Sequence, residues 1–123
     1  MRQSSLIAII DDDEGMRVSL DQLLRSLGHR TVLFASAEAF LESQSAPVTH
    51  CVISDIHMPG GMSGLDLAHR LAEDHPPTPI ILMSAYSNRD QEEQAKDLRV
   101  YCLLPKPFDD DTVIACLERA LVA

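Results

Sequence analysis

The sequence predicts a doubly wound α/β domain, a parallel sheet with helices on both faces, and three observations carry that prediction. Five short apolar runs alternate with segments whose apolar residues recur every three or four positions. No hairpin signal joins consecutive runs, so each return passes through a helix, as parallel pairing requires. The chain has 123 residues, 46% of them hydrophobic, which suits one domain, 1–123, with one core.

The elements follow in order. Residues 6–10 form an apolar run that stops at Asp11-Asp12-Asp13. Met16, Leu20, Leu23, Leu24 and Leu27 mark an amphipathic helix that Gly28 can end. Residues 31–34 are the second strand candidate, and Ser36 offers an N-cap to a short helix carrying Phe40 and Leu41. A loop with Pro47 leads to the central run, 51–55, which ends in Asp55 and turns at Pro59. After Gly60-Gly61 a helix carries Leu65, Leu67, Ala68, Leu71 and Ala72 until Pro76 and Pro77 halt it. Residues 79–83 are the fourth strand, followed by Ser84. Segment 87–97 is helical by propensity, yet only Ala95 within it can pack, so its opening cost is expected to be low. Residues 100–104 are the fifth strand, closed by Pro105-Lys106-Pro107. Asp109 caps a last helix with Val113, Ile114, Leu117 and Leu121 on its inner side.

Composition narrows the function. A net charge of −9 disfavours direct nucleic-acid binding through this domain, which needs clustered Lys and Arg. No run reaches the length of a membrane span and no signal-peptide pattern opens the chain, so a soluble cytoplasmic protein is expected. Cys51, Cys102 and Cys116 have no metal-ligand spacing and sit in apolar runs, which reads as reduced core thiols.

In a parallel sheet every strand's C-terminal end lies on one edge, where ligands bind. Asp11 and Asp12, Asp55, Ser84 and Lys106 follow strands one, three, four and five, so they meet there. Singly, each has a commonplace explanation: an Asp as helix cap, a Ser as turn residue, a Lys as surface. Together they form a chemical set. Three crowded carboxylates repel, and one lysine is too little to offset them, so a hard divalent cation, Mg²⁺ before others, is implied. A carboxylate can then attack phosphorus while the cations and the hydroxyl absorb charge on the transferred oxygens.

At 9–14, 54–59, 64–67, 82–85 and 105–108 the chain resembles the receiver domain of two-component response regulators over nearly its whole length. Those residues read Ile-Ile-Asp-Asp-Asp-Glu, Ser-Asp-Ile-His-Met-Pro, Gly-Leu-Asp-Leu, Leu-Met-Ser-Ala and Pro-Lys-Pro-Phe. Asp11-Asp12-Asp13-Glu14 and Met-Ser-Gly-Leu-Asp at 62–66 are similar to the FixJ-type subgroup. The resemblance implies a flavodoxin-like strand order 2-1-3-4-5. It implies Asp55 as phospho-acceptor from a sensor histidine kinase, self-dephosphorylation at the same site, and Mg²⁺ (or Mn²⁺) held by Asp12, Asp55 and the His57 carbonyl, with Asp11 acting through water. Lys106 would pair with phosphoryl oxygens, Ser84 would swing to them, and the Lys106–Pro107 bond would be cis. It further implies a conformational switch that acts on an output domain or partner, transcriptional control among the outcomes. A homodimer would form through the face of the fourth helix, fifth strand and last helix, and the first helix would dock the kinase.

Three departures stand out. Leu103 replaces the family's switch aromatic, Arg99-Val100 replaces a Gly-Ala pair, and the Gly60-Gly61 turn is one residue longer than the commonest form. His57 and Tyr86, two residues beyond Asp55 and Ser84, are read as flanking the phosphoryl position and governing water access. Two other readings stay open. A haloacid-dehalogenase-type phosphohydrolase would use Asp11 as nucleophile and Asp13 as acid, and a pseudo-receiver would be an unphosphorylated scaffold.

Overall fold

The computed structural model describes residues 5–74, 77–85, 89–98 and 100–122. Strands β1 (Leu6–Ile10), β2 (Arg30–Phe34), β3 (Cys51–Asp55), β4 (Ile80–Ser84) and β5 (Cys102–Pro105) alternate with helices. These are α1 (Glu14–Ser26), α2 (Ala37–Glu42), α3 (Gly64–Ala72), α4 (Arg89–Asp97) and α5 (Asp110–Val122), with a 3₁₀ turn at Ala46–Val48. All pairings are parallel, in the order β2-β1-β3-β4-β5. Every residue of β1, β3 and β4 is buried, which is why these runs are almost continuously apolar.

Side chains alternate across the sheet and divide the core in two. Ile7, Ile9, Ile53, Ile81 and Met83 pack with Leu20 and Leu24 of α1 and Val113 and Leu117 of α5. Ala8, Ile10, Val52, Ile80 and Leu82 pack with Phe40 of α2 and Leu67 and Leu71 of α3. Full burial of one such leucine contributes about 1.5–3 kcal/mol, so these layers fix the strand ends against the helices. α4 contributes only Ala95 as a buried residue, as its composition predicts.

Local chemistry sets the boundaries. α1 begins two residues before Met16 because the Asp13 carboxylate accepts the Gly15 amide at 2.9 Å. Ser63 and Asp66 form a reciprocal capping box at the start of α3. Gly28 and Gly60 take φ of +90°, which side-chain-bearing residues rarely adopt. On α5 the buried residues are Val113, Cys116, Leu117 and Ala120, and Leu121 packs half-buried against the same layer, as predicted; Ile114 departs from the expectation, half-buried and outside that layer.

The cysteines also depart from expectation. Cys102 and Cys116 are joined by a disulfide, whereas Cys51 is a free buried thiol. The linear spacing hides this pairing: β5 carries Cys102 against the face of α5 that carries Cys116, with Cα atoms 6.1 Å apart.

Gly64 ties α3 to the end of β3. Its amide donates to the Ile56 carbonyl at 2.9 Å, and a Cβ there would run into the Asp55 carbonyl and lie 2.9 Å from the Ile56 Cα. Gly64→Ala should therefore lower stability by about 1–3 kcal/mol in urea denaturation, despite alanine's advantage of about 1 kcal/mol in a helix. Unchanged or higher stability would show that the β3–α3 junction yields freely.

Candidate functional site

The C-terminal ends of four strands bring one group of polar side chains together. Asp11 follows β1 and is anchored by its amide to the Phe34 carbonyl at 3.2 Å. Asp55 is the last residue of β3 and Ser84 the last of β4. Lys106 follows β5, and its amide donates to the Ser84 carbonyl at 2.8 Å. The Lys106–Pro107 bond is cis.

The Lys106 ammonium sits between two carboxylates, 3.1 Å from Asp11 Oδ2 and 3.1 Å from Asp55 Oδ2. Asp11 is 0% and Asp55 7% exposed. The other Asp11 oxygen accepts the Asp13 amide at 2.9 Å, and the other Asp55 oxygen accepts the His57 amide at 3.2 Å. Arg17 of α1 donates to the Asp11 carbonyl at 2.6 Å. Burial pushes the Asp11 carboxyl above its ordinary 3.8, against the pull of the Asp13 amide and Lys106, and Asp55 adds to the rise. Burial also opposes the charge on Lys106, but Asp55 and Asp11 outweigh it and hold the ammonium above its ordinary 10.5. The two partners thus point in opposite senses: Lys106 gains from its neighbours, while Asp11 loses more water than one ammonium replaces.

Asp12 completes a cluster. One carboxylate oxygen from each of Asp11, Asp12 and Asp55 lies within 4.8 Å of the others. Lys106 pairs with two of these groups, and Asp12, which is exposed, faces solvent. An all-oxygen set with surplus negative charge suits a hard divalent cation. A cleft of about 230 Å³ between Asp12, Ser36, Glu38 and the 58–61 turn adjoins it. Glu38 closes that cleft on one side by accepting the Met62 amide at 2.7 Å, which binds the long glycine turn to α2.

Asp11, Asp12, Asp55 and Lys106 are therefore assembled as the sequence predicts. Ser84 lies on the same edge, but its hydroxyl donates to the Gln91 side-chain carbonyl of α4 at 3.3 Å. The exposed His57 ring also reaches Gln91, Nε2 to Nε2 at 3.3 Å. Leu103 is half-buried and packs on the core layer beneath α2 and α3. Tyr86 and Arg99 lie outside the described residues.

Gln91 is the residue that sequence reasoning missed. In a helix with no large apolar residue, a polar side chain facing inward looks like its solvated neighbours. One signal was available: Gln91 stands one turn before Ala95, on the one face that can pack. Gln91 is half-buried, while Asp90, Glu92 and Glu93 are exposed.

Comparison with known proteins agrees with this geometry. The family model described as "Response regulator receiver domain" matches residues 7–118. The transcriptional regulatory protein FixJ of Bradyrhizobium diazoefficiens is 38% identical over 115 residues, covering 94% of this chain and 56% of that protein. The DNA-binding transcriptional regulator NtrC of Escherichia coli K12 is 34% identical over 119 residues, covering 97% of this chain and 25% of that protein. The chain thus spans about half the length of the first relative and a quarter of the second. Among solved structures, the signal receiver domain of an HD domain-containing protein from Pseudomonas fluorescens Pf-5 superposes with a TM-score of 0.87 at 28% identity, covering 98% of this chain and 96% of that one. The BeF3-activated DrrB receiver domain gives 0.86 at 26% identity, covering 98% and 100%.

Charge crowding at this edge has a measurable consequence. Asp12→Asn removes a carboxylate that Lys106 does not pair with, so it should stabilise the protein by about 0.5–1.5 kcal/mol in urea with a chelator present. The same variant should lose the stabilisation that a divalent cation gives to the unaltered chain. Destabilisation with chelator, or an intact cation response, would contradict the assigned cluster.

Proposed function

This chain belongs to the response regulator receiver domain family, and from that premise we propose that it accepts a phosphoryl group on Asp55. The donor is a phosphohistidine of a sensor histidine kinase, or a small acyl phosphate. The observation that carries the reading is the Lys106 ammonium held between Asp11 and Asp55 at the sheet edge. Asp11, Asp12 and Asp55, with the His57 carbonyl, would hold Mg²⁺, or Mn²⁺ in its place. That ion supplies positive charge to the oxygens of the transferred group.

The chain's own groups account for the rest. A carboxylate oxygen of Asp55 attacks phosphorus, the bond to the donor's imidazole nitrogen or acyl oxygen breaks, and the leaving group departs with its electron pair. The His57 amide fixes one Asp55 oxygen, and Lys106 passes from the other to a phosphoryl oxygen. The Ser84 hydroxyl exchanges Gln91 for the phosphoryl group. The new group brings about −1.5 to −2 charge. Because Gln91 belongs to α4, that exchange gives the helix a direct report of phosphorylation. This polar link takes over the coupling that Leu103, lacking a ring, does not provide.

The same geometry weighs against a phosphohydrolase that uses Asp11 as nucleophile. The Asp11 side chain is wholly buried, whereas that of Asp55 keeps 10% of its exposure, and Asp13 is occupied as the α1 cap. The readout proposed is a conformational change that controls an output domain or a partner protein, with transcription control one such output. A homodimer through the α4–β5–α5 face belongs to the same proposal, as do kinase docking at α1 and a cytoplasmic location. Among the described residues no helix is long and apolar enough to cross a membrane.

Incubation with Mg²⁺ and acetyl phosphate should add one phosphoryl group by intact mass, absent in Asp55→Asn. Lys106→Ala should slow its uptake about a hundredfold. Label on Asp11 would establish the hydrolase reading, and no label would reject phosphoryl acceptance. Gln91→Ala frees the Ser84 hydroxyl from one hydrogen bond of about 1 kcal/mol. It should therefore bind beryllofluoride about fivefold more tightly, read by calorimetry; unchanged affinity would remove Gln91 from the switch.

A further inference from the structure

The three cysteines occupy two different chemical environments. Cys51 is 0% exposed on central β3, and burial pushes its thiol up to about 12. It is therefore inert near neutral pH. Cys102 and Cys116 lie elsewhere, at the β5–α5 contact, 8% and 3% exposed and bonded to each other. The Arg119 guanidinium, one turn along α5 from Cys116, lies 2.9 Å from Cys102 Sγ and 4.0 Å from Cys116 Sγ. A fixed positive charge at that range favours thiolate over thiol. Nothing in the phosphoryl chemistry uses these three side chains.

We propose that Cys102, Cys116 and Arg119 form a peroxide-responsive thiol–disulfide site. Cys102 is the attacking sulfur, being nearer to the guanidinium and the more exposed of the two. Its thiolate attacks one oxygen of hydrogen peroxide, the O–O bond breaks, and the leaving hydroxide takes a proton to become water. This leaves a sulfenic acid on Cys102. Cys116 then attacks that sulfur, the S–O bond breaks, and the departing hydroxide leaves as water with the second thiol proton. In sum two thiols lose two electrons to one peroxide, giving a disulfide and two waters. The low exposure of both residues selects a small oxidant and excludes a bulky one such as glutathione disulfide. In the cytoplasm proposed above, thiols are kept reduced, so a bond at this place forms on oxidative challenge and a dithiol reductant reopens it.

The bond closes a loop between residues 14 apart in sequence. That loop contains the last residues of β5, Lys106 and the first turns of α5. Oxidation thus staples the strand that presents Lys106 to the helix behind it. The site needs only two sulfurs and a guanidinium, so it stands whether or not Asp55 takes a phosphoryl group.

The test is made on the whole chain, reduced and then freed of reductant. One equivalent of hydrogen peroxide should remove two of three alkylatable thiols and yield a 102–116 crosslinked peptide, with Cys51 still free. The oxidised form should melt about 10 °C higher than the reduced form. Arg119→Leu, an exposed position whose change leaves the core intact, should slow crosslinking about tenfold, because the thiolate loses its nearby positive charge. Glutathione disulfide should react far more slowly than peroxide. Oxidation centred on Cys51, crosslinks between chains, an equal melting midpoint, reaction of glutathione disulfide as fast as peroxide, or Arg119→Leu at the unaltered rate would each overturn the proposal.

Discussion

The arrangement depends on one ammonium holding two carboxylates together at the edge of a sheet. Asp11 and Asp55 are almost wholly withdrawn from water, and Lys106 reaches both at 3.1 Å. Without that cation the two buried charges would stand uncompensated, a situation that costs about 3–5 kcal/mol. Even with it, Asp12 leaves the edge over-supplied with negative charge. Stability is given up locally so that the site attracts positive charge. A site built this way is poised for a ligand that carries its own cation.

The rest of the fold is arranged to keep that edge in place. Two apolar layers, one beneath α1 and α5 and one beneath α2 and α3, hold the strand ends in fixed register. Gly64 lets α3 start directly against the end of β3, and Asp13 starts α1 directly after the first two carboxylates. α4 differs in kind. With Ala95 as its one buried residue, it is held less by burial than by polar contacts such as Gln91 with Ser84 and His57. An element tethered by replaceable hydrogen bonds is well suited to move when one of those bonds finds a better partner.

Most of this was legible in the sequence, for identifiable reasons. Central strands were readable because β1, β3 and β4 are buried on both faces, and the edge cluster followed from parallel topology, which sends every strand end the same way. Boundaries shifted where one hydrogen bond decided them, as Asp13 does for α1. The inner face of α5 departs from the sequence expectation at Ile114, because periodicity fixes the spacing of a stripe and not its exact angle to the sheet. Gln91 was invisible because an inward amide has no signature in a polar helix. The Cys102–Cys116 pair was hidden for a different reason: compositional rules about cysteines speak of compartments, while the pairing is decided by which face of α5 meets β5.

If Lys106, Asp11 and Asp12 gather around Asp55 for phosphoryl transfer, Asp55 alone is esterified. A crystal structure of the protein grown with Mg²⁺ and beryllofluoride tests it most directly. The fluoride group is expected bonded to an Asp55 oxygen, with the Lys106 Nζ within hydrogen-bond distance of a fluorine and the Ser84 hydroxyl turned from Gln91 towards it. Beryllofluoride seated on Asp11, or Lys106 still engaged only with carboxylates, would contradict it.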